Sequence, residues 1–242
     1  AVETWLASGD MKQVDRCLDD LLASLLIDNV HLPTGSDTLW RETASQMGRE
    51  NSRFNRIRPR NGVGAWEVEH LIEALLAHGC AIKIHRMQSP DRAPADRFLV
   101  SRYKHYPIDT GLFRRMAGSS AEDVLHDSAD TSRFRGTLTE LYVLSELMLL
   151  DTSVHYWKEG NLAEVDFIAE FNSHIIPIEV KTSINVKSHS LAVYRHTFHP
   201  PVALRYSMLN IKLDDDLLNI PLPLVHATKQ ILSNAVGLAG KA

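Results

Sequence analysis

Acidic and basic side chains in two neighbouring stretches have the types and spacing to bind a metal ion. Asp166 lies in the stretch 163–171, and Glu179 and Lys181 lie in the stretch 174–181. Carboxylates that face each other repel, and a divalent cation such as Mg²⁺ or Mn²⁺, which prefers oxygen ligands, removes that repulsion. Such a cation polarises a phosphate and lowers the pKa of an attacking water, and Lys181 would orient that water. The pattern predicts a metal-dependent hydrolytic site.

The two stretches are predicted to form a β-hairpin that brings these side chains together. Only Asn172 and Ser173 separate them, which favours a two-residue turn. Counting back from that turn sets Asp166 directly opposite Glu179, on one face of the sheet. A slip of one residue would put the two carboxylates on opposite faces and destroy the site.

Side-chain alternation adds further members to the predicted site. Lys181 joins Glu179 on its face, and Glu164 joins Asp166. Glu140 lies on the apolar stripe of a predicted helix, where a carboxylate must find a partner or be neutralised. The alternative is a set of surface pairs across the strands, such as Glu164 with Lys181.

The composition is that of a globular protein in a reducing compartment. The chain has 242 residues with 44% hydrophobic and 23% charged residues, and its net charge of −4 leaves nucleic-acid affinity to local patches. Two cysteines are too few for a disulfide framework, and no apolar run reaches the length of a membrane span. We therefore expect a cytoplasmic protein without a membrane partner. The first residue is Ala, so the chain is expected to be a piece of a longer protein.

The first part of the chain, residues 1–104, is predicted to be a helical, winged-helix-like subdomain. Helical patterns are followed by a hairpin with a loose loop, in the order 11–30, 36–47, 65–78, 81–87 and 98–103. The third helix carries three Glu and neither Arg nor Lys, which argues against direct base readout. The alternative is a helical subdomain that packs against a partner.

An arginine-rich stretch in this part predicts contact with nucleic-acid phosphates. Residues 41–60 hold six Arg and two Glu, a net charge of +4 in a chain whose total is −4. We assign the phosphate contacts to Arg53, Arg56, Arg58 and Arg60. The alternative is a solvated loop without a nucleic-acid partner.

Residues 105–242 are predicted to form an α/β domain with a mixed sheet flanked by helices. Apolar patterns indicate a polar surface loop over 118–132, helices over 133–150, 188–198 and from 228, and strands over 154–157, 163–171, 174–181, 201–208 and 222–226. Asp214 to Asp216 indicates a solvated turn.

The order of Glu140, Asp166 and the triplet Glu179-Val-Lys181 resembles the PD-(D/E)XK phosphodiesterases. This resemblance implies the restriction-endonuclease-like fold, with Asp166, Glu179 and Lys181 as catalytic residues. It also implies that Glu140, Asp166 and Glu179 are ligands of Mg²⁺ or Mn²⁺.

The chain as a whole resembles the C-terminal part of bacterial and archaeal AAA-type ATPases that carry a restriction-endonuclease-like domain of unknown function. The matching pieces include 1–10, 48–54, 106–112, 136–140, 156–157, 164–167, 178–183 and 219–222. In that family a P-loop domain precedes the equivalent of Ala1, whereas no Gly-x-x-x-x-Gly-Lys-Ser/Thr occurs in this chain. The resemblance implies that ATP binds only to an N-terminal half outside this chain, owing to truncation or a broken gene.

Three functions remain open from the sequence. The first is a metal-dependent DNA nuclease domain, an endonuclease or exonuclease. The second is a catalytically silent nuclease fold that binds DNA or a protein. The third is a structural element for oligomeric assembly of the ATPase. The presence of all four signature residues, Glu140, Asp166, Glu179 and Lys181, favours the first.

Overall fold

The computed structural model describes residues 1–28, 35, 38, 41–42, 44, 65–92, 96–125, 129–182 and 188–237. The chain divides into two compact units, each built from two stretches: 1–83 with 105–141, and 84–104 with 142–242. The predicted phosphate-contacting residues, Arg53, Arg56, Arg58 and Arg60, lie outside the described residues, as does most of the helix expected over 36–47. The assignment of residues 1–104 and 105–242 to separate domains stays a prediction.

The first unit is mainly helical. Its helices are α1 (Val2–Ser8), α2 (Met11–Asp28), α3 (Ala65–Ala77), α4 (Thr110–Met116), α5 (Ala121–Leu125) and the first part of α6 (Ala129–Met148). Val14, Leu18 and Leu22 form the buried stripe of α2, at the spacing that predicted this helix. Arg115 donates to both carboxylate oxygens of Asp19, at 2.8 and 2.7 Å, and this bidentate pair fastens α4 to α2.

The second unit contains a mixed eight-stranded sheet. Its strands are β1 (Ala81–Met87), β2 (Phe98–Pro107), β3 (Val154–Glu159), β4 (Ala163–Phe171), β5 (His174–Val180), β6 (Ala203–Ser207), β7 (Lys212–Asp214) and β8 (Leu217–Pro221), of which β1 and β2 contribute residues 84–87 and 98–104 to this unit. The strand order is β2-β1-β3-β4-β5-β6-β8-β7. The neighbours β1 and β3, β5 and β6, and β6 and β8 are parallel, whereas β3–β4, β4–β5 and β7–β8 are antiparallel. The predicted α/β class, a mixed sheet flanked by helices, is confirmed.

The predicted hairpin is β4 and β5, and local chemistry explains why it forms. Asn172 and Ser173 both have positive φ, 49° and 65°, as a type I′ turn requires. Pro177 lies in the central strand β5, where its missing N–H could interrupt a ladder. The pairing of β5 with β6 begins only at Ile178, so the proline precedes that ladder.

Helix α7 (His189–Phe198) covers β4 and β5 with an apolar face. Ser188 caps it, because the Ser188 hydroxyl oxygen accepts the N–H of Leu191 at 3.2 Å. Trp157 packs edge-on against Tyr194 and Phe198, with ring centroids 5.1 and 5.8 Å apart. These aromatic contacts form the core on this side of the sheet.

Two local predictions in the C-terminal part need correction. The last strand was expected over 222–226, but β8 ends at Pro221, and Leu222–Ala227 is a 3₁₀ helix before α8 (Thr228–Val236). A proline in its first turn lacks the N–H that a strand ladder needs. The polar stretch 118–132, expected to be a loop, contains α5 and the start of α6. Ser120 and Asp123 cap α5 reciprocally, each side chain accepting the other residue's backbone N–H.

The remaining expected elements occur close to their predicted bounds. The hairpin strands β1 and β2 follow α3 as expected, and they also belong to the large sheet. Asp215, with φ of 53°, turns the chain between β7 and β8, as the acidic run predicted. Within the described residues, no helix combines the length and apolarity needed to cross a bilayer.

Candidate functional site

The predicted site residues of the second unit lie at one end of the hairpin strands. Asp166 is on β4, Glu179 is the penultimate residue of β5, and Lys181 directly follows that strand. Glu179 is buried, whereas Asp166 and Lys181 are partly exposed. Because the turn fixes the hairpin register, these three residues come together without a long-range rearrangement.

The register of the hairpin is the one that its turn predicts. β4 and β5 pair from Phe171 opposite His174 to Phe167 opposite Ile178. The next step of the same register leads to Asp166 and Glu179. At this step a side-chain contact takes over, because a carboxylate oxygen of Asp166 accepts the backbone N–H of Val180 at 2.8 Å.

A β-bulge occurs at Asp166 on the other side of β4. His155 of β3 faces Ile168, but Trp157 faces Val165. β3 therefore advances two residues where β4 advances three, so the extra residue falls at 166–167. The placement of Glu164 with Asp166 on one face stays a prediction, and burial alternates from Ala163 to Phe167 as that placement expects. Bulges re-aim side chains, and they are frequent beside active sites.

The two carboxylate oxygens of Glu179 differ in their contacts. Its Oε1 lies 2.6 Å from the Nζ of Lys181. Its Oε2 is buried and has no hydrogen-bond partner among the residues that the structure describes. A buried carboxylate oxygen without a partner carries a free-energy penalty, which a cation or a proton would remove.

The fourth predicted residue, Glu140, belongs to the first unit. It lies on α6 and is partly buried. Its predicted role as a metal ligand beside Asp166 and Glu179 stays a prediction.

Two of the three predicted metal ligands, Asp166 and Glu179, lie in the second unit. Among the residues that the structure describes, no group of three or more His, Cys, Asp or Glu side chains is arranged to hold a metal ion. Asp166 and Glu179 nevertheless suit Mg²⁺, because this ion is commonly bound through one or two carboxylates and keeps several waters. The buried Oε2 of Glu179, for which the described residues supply no hydrogen-bond donor, is the observation that fits such an ion.

Glu179 also has a polar neighbour on the next strand. Arg205 of β6 is in register with Glu179, and Asn219 of β8 is in register with Arg205. The amide oxygen of the buried Asn219 accepts hydrogen bonds from Arg205 Nε at 2.9 Å and from Ser207 Oγ at 2.7 Å. Asn219 also donates to the carbonyl oxygens of Leu209 and Asn210, so it fixes both the arginine and the loop after β6.

Sequence reasoning missed the partners of Glu164. Lys104 Nζ lies 2.7 Å from Oε1 of Glu164, and Lys158 Nζ lies 2.7 Å from Oε2. Burial alone raises the pKa of Glu164, but the charges and hydrogen bonds of the two lysines outweigh it and hold the pKa below its ordinary value. The short turn 160–162 sets Lys158 opposite Glu164 and was a readable signal. Lys104 comes from β2, and no local pattern indicates this contact.

Comparison with known proteins gives a family match without a function. Residues 135–225 match the family model described as DUF4143, a domain of unknown function, and this segment contains all four predicted site residues. No curated protein matches the chain significantly. The crystal structure of protein VC1899 from Vibrio cholerae is 16% identical over 94% of this chain and 57% of that chain, with a TM-score of 0.31. The chain thus spans less than two thirds of that protein, and a TM-score this low carries no argument about either fold or function.

Proposed function

We propose that the second unit is a metal-dependent nucleic-acid phosphodiesterase module of the PD-(D/E)XK type. The observation that carries the proposal is the buried Oε2 of Glu179, which has no hydrogen-bond partner in the described part of the chain and lies on the strand next to the bulged strand that bears Asp166. A site without a ligand role would be expected to satisfy this oxygen with a donor from the protein. Asp166 and Glu179 would hold Mg²⁺ or Mn²⁺, with Glu140 as a further ligand.

The chemistry of the site follows from the charges at its rim. A divalent cation supplies phosphate polarisation and a water of lowered pKa. Lys181, with 28% of its side chain exposed, presents an ammonium group beside Glu179 that can donate to a phosphate oxygen. Such a donor stabilises the negative charge that develops in the transition state. A carboxylate oxygen of Asp166 accepts the N–H of Val180, which fixes the orientation of this side chain.

The proposed partners are DNA and an ATPase. DNA would be held by Arg53, Arg56, Arg58 and Arg60, which contribute local positive charge. The chain's resemblance to the C-terminal part of AAA-type ATPases supports a role as the nuclease-like portion of such a protein. ATP would bind to the preceding half, and that half would also determine the oligomeric state.

A second candidate function is a silent nuclease fold that binds DNA or a protein. The ion pair between Lys181 and Glu179 favours this candidate, because the ammonium already compensates one carboxylate without a metal ion. The two candidates differ in one measurable property, the affinity of the carboxylates for a divalent cation.

Calorimetric titration of Mn²⁺ tests the proposal. The variants Asp166→Asn and Glu179→Gln keep side-chain size and remove one charge each, and Glu170→Gln removes a charge from the exposed end of β4 as a matched control. We expect binding to wild type and to the control, and its loss in both site variants. Absence of Mn²⁺ binding to wild type would reject the nuclease proposal in favour of the silent fold.

A cleavage assay separates binding from chemistry. Lys181→Met should retain Mn²⁺ binding, because it removes a competing positive charge from Glu179. The same variant should lose cleavage of DNA, because the donor to the phosphate is gone. Cleavage by Lys181→Met at the wild-type rate would exclude the proposed role of the lysine.

A further inference from the structure

Four cations of the second unit lie on the neighbouring strands β1, β2 and β3, and two of them contact one carboxylate on β4. Lys104 and Lys158 contact opposite oxygens of Glu164. The Nζ of Lys104 also lies 4.7 Å from the ring centre of Tyr156, so the side chain of Lys104 reaches from β2 to β3. Arg86 of β1 donates a hydrogen bond to the backbone oxygen of Lys158.

Arg102 extends the same cluster along β2. It lies two residues before Lys104, the spacing that places side chains on one face of a strand. Arg86 is in register with Tyr156 on the parallel strand β3. Burial raises the pKa of Tyr156 above its ordinary value, and the positive charges of Lys104, Arg86 and Arg102 act against that rise. We call Arg86, Arg102, Lys104 and Lys158 the basic face.

The charges of the basic face are not balanced within the cluster. Glu164 can compensate one of its two lysines, so the four cations and one carboxylate carry a net charge of +3. Lys104 is only 4% exposed, and the buried Nε of Arg86 has no hydrogen-bond partner within the described ranges. Concentrating positive charge in a partly buried place is unfavourable unless an anion is recruited. Arg102 is exposed and gives such an anion access from solvent.

We propose that the basic face binds phosphate groups of a nucleic-acid strand. Arginine and lysine donors on rigid strands suit tetrahedral oxyanions. The cations come from three adjacent strands, so they span about 10 Å, the width of two strand spacings. Each strand of a DNA duplex carries one phosphate charge per about 3.4 Å of helix axis, so this width matches more than one phosphate of a polymer better than one free phosphate. The choice of a nucleic acid rests on the proposed function, whereas the anion site rests on the cluster alone.

The test compares DNA binding by charge-matched variants, measured by fluorescence anisotropy between about 50 and 200 mM salt. Arg102→Ala/Lys158→Met removes two cations of the basic face and leaves the pair of Lys104 with Glu164 in place, so the fold is retained. Arg92→Ala/Lys212→Met removes the same charge from exposed positions elsewhere in the unit. Thermal unfolding of both variants verifies that each one is folded.

The expected result is a weaker salt dependence for the basic-face variant alone. The slope of log affinity against log salt should fall by about 1 for each lost phosphate contact, and affinity at low salt should fall several-fold. Inorganic phosphate should compete only weakly with the polymer. An equal loss in the control variant, an unchanged slope, or equally tight binding of polyglutamate would overturn the inference.

The proposed metal site and the proposed basic face can be refuted independently with these variants. Asp166→Asn should lose Mn²⁺ and keep DNA binding with the wild-type salt slope. Loss of DNA binding in the basic-face variant supports the inference even where wild type binds no Mn²⁺, a result that rejects the proposed catalysis. Absence of DNA binding to wild type would overturn the inference whatever the metal does.

Discussion

Replacing Glu164 by Gln should destabilise the second unit, because this carboxylate is the counter-charge of a buried lysine. The Nζ of Lys104 lies 2.7 Å from one oxygen of Glu164, and Lys104 is almost completely buried. Glutamine has nearly the same size but no charge. The buried ammonium of Lys104 would then lose the compensating charge of Glu164, and its neighbour Lys158 would add repulsion.

The expected loss can be estimated from the burial of the pair. Removing one partner of a buried ion pair costs about 3–5 kcal/mol. The side chain of Glu164 keeps 19% of its exposure, so solvent screens part of the interaction, and we expect the lower end, about 3 kcal/mol. In a protein of this size each kcal/mol lowers Tm by about 2–4 °C, which gives a fall of about 6–12 °C.

Thermal unfolding followed by circular dichroism measures this effect at neutral pH. The double variant Lys104→Met/Glu164→Gln removes both charges and should recover most of the loss. Lys158→Met alone should have a small effect, since it leaves the pair of Lys104 with Glu164 intact. A wild-type Tm for Glu164→Gln, or no recovery in the double variant, would refute the argument that charge compensation stabilises this cluster.

Acidification gives an independent check on the same pair. The two lysines hold the folded-state pKa of Glu164 below its ordinary value of 4.5. The stabilisation is therefore fully present above about pH 4.5 and is lost as the pH falls through the folded-state pKa. The Tm difference between wild type and Glu164→Gln should shrink in that range. A difference that stays constant on acidification would contradict a charge-based origin.

Three further predictions concern other parts of the chain. Burial lowers the pKa of His155 to about 4, so wild type should lose stability as the pH falls from 6.5 toward 4. The variant His155→Phe keeps the ring stack on Phe98 and should lack this loss. Identical pH profiles of stability for the two proteins would contradict this prediction. Asn219→Ala should lower the free energy of unfolding in urea by about 3 kcal/mol, because Arg205, Ser207 and the carbonyl oxygen of Leu209 lose a hydrogen-bond partner. The control Asn210→Ala, at an exposed position, should lower it little. Equal losses would disprove the role of the Asn219 hydrogen bonds. Replacing the four predicted phosphate-contacting arginines by Ala should weaken DNA binding across sequences and flatten its salt dependence. These residues are Arg53, Arg56, Arg58 and Arg60. An unchanged salt slope would exclude them from the DNA interface.

Local signals predicted the hairpin well because its geometry is decided within a few residues. Asn172 and Ser173 tolerate positive φ, and a two-residue turn then fixes the register of both strands. The stretch 222–226 shows the limit of such reasoning. Its apolar pattern favours a strand, but Pro223 removes a ladder donor, and the chain forms a 3₁₀ helix instead.

Contacts between distant strands could not be predicted in the same way. Lys104 reaches Glu164 across strands β1 and β3, and only the strand order of the folded sheet brings β2 to that position. The alternation of side chains along the strand did not distinguish Lys104 from its neighbours as a partner of Glu164. The pairing of Lys158 with Glu164 is different, because a short turn joins their strands and the register could be counted.

The bulge at Asp166 determines which substitution can test the site. The side chain of Asp166 accepts the N–H of Val180 at the point where the β4–β5 ladder stops, so the residue has a structural role besides any metal role. Alanine would remove the acceptor and the charge together, and a loss of Mn²⁺ binding could then reflect a displaced β5. Asparagine keeps an oxygen acceptor for Val180 and removes only the charge. If Asp166→Asn retains the wild-type Tm and loses Mn²⁺ binding, the carboxylate is a ligand; if it loses neither, the bulge serves the fold alone.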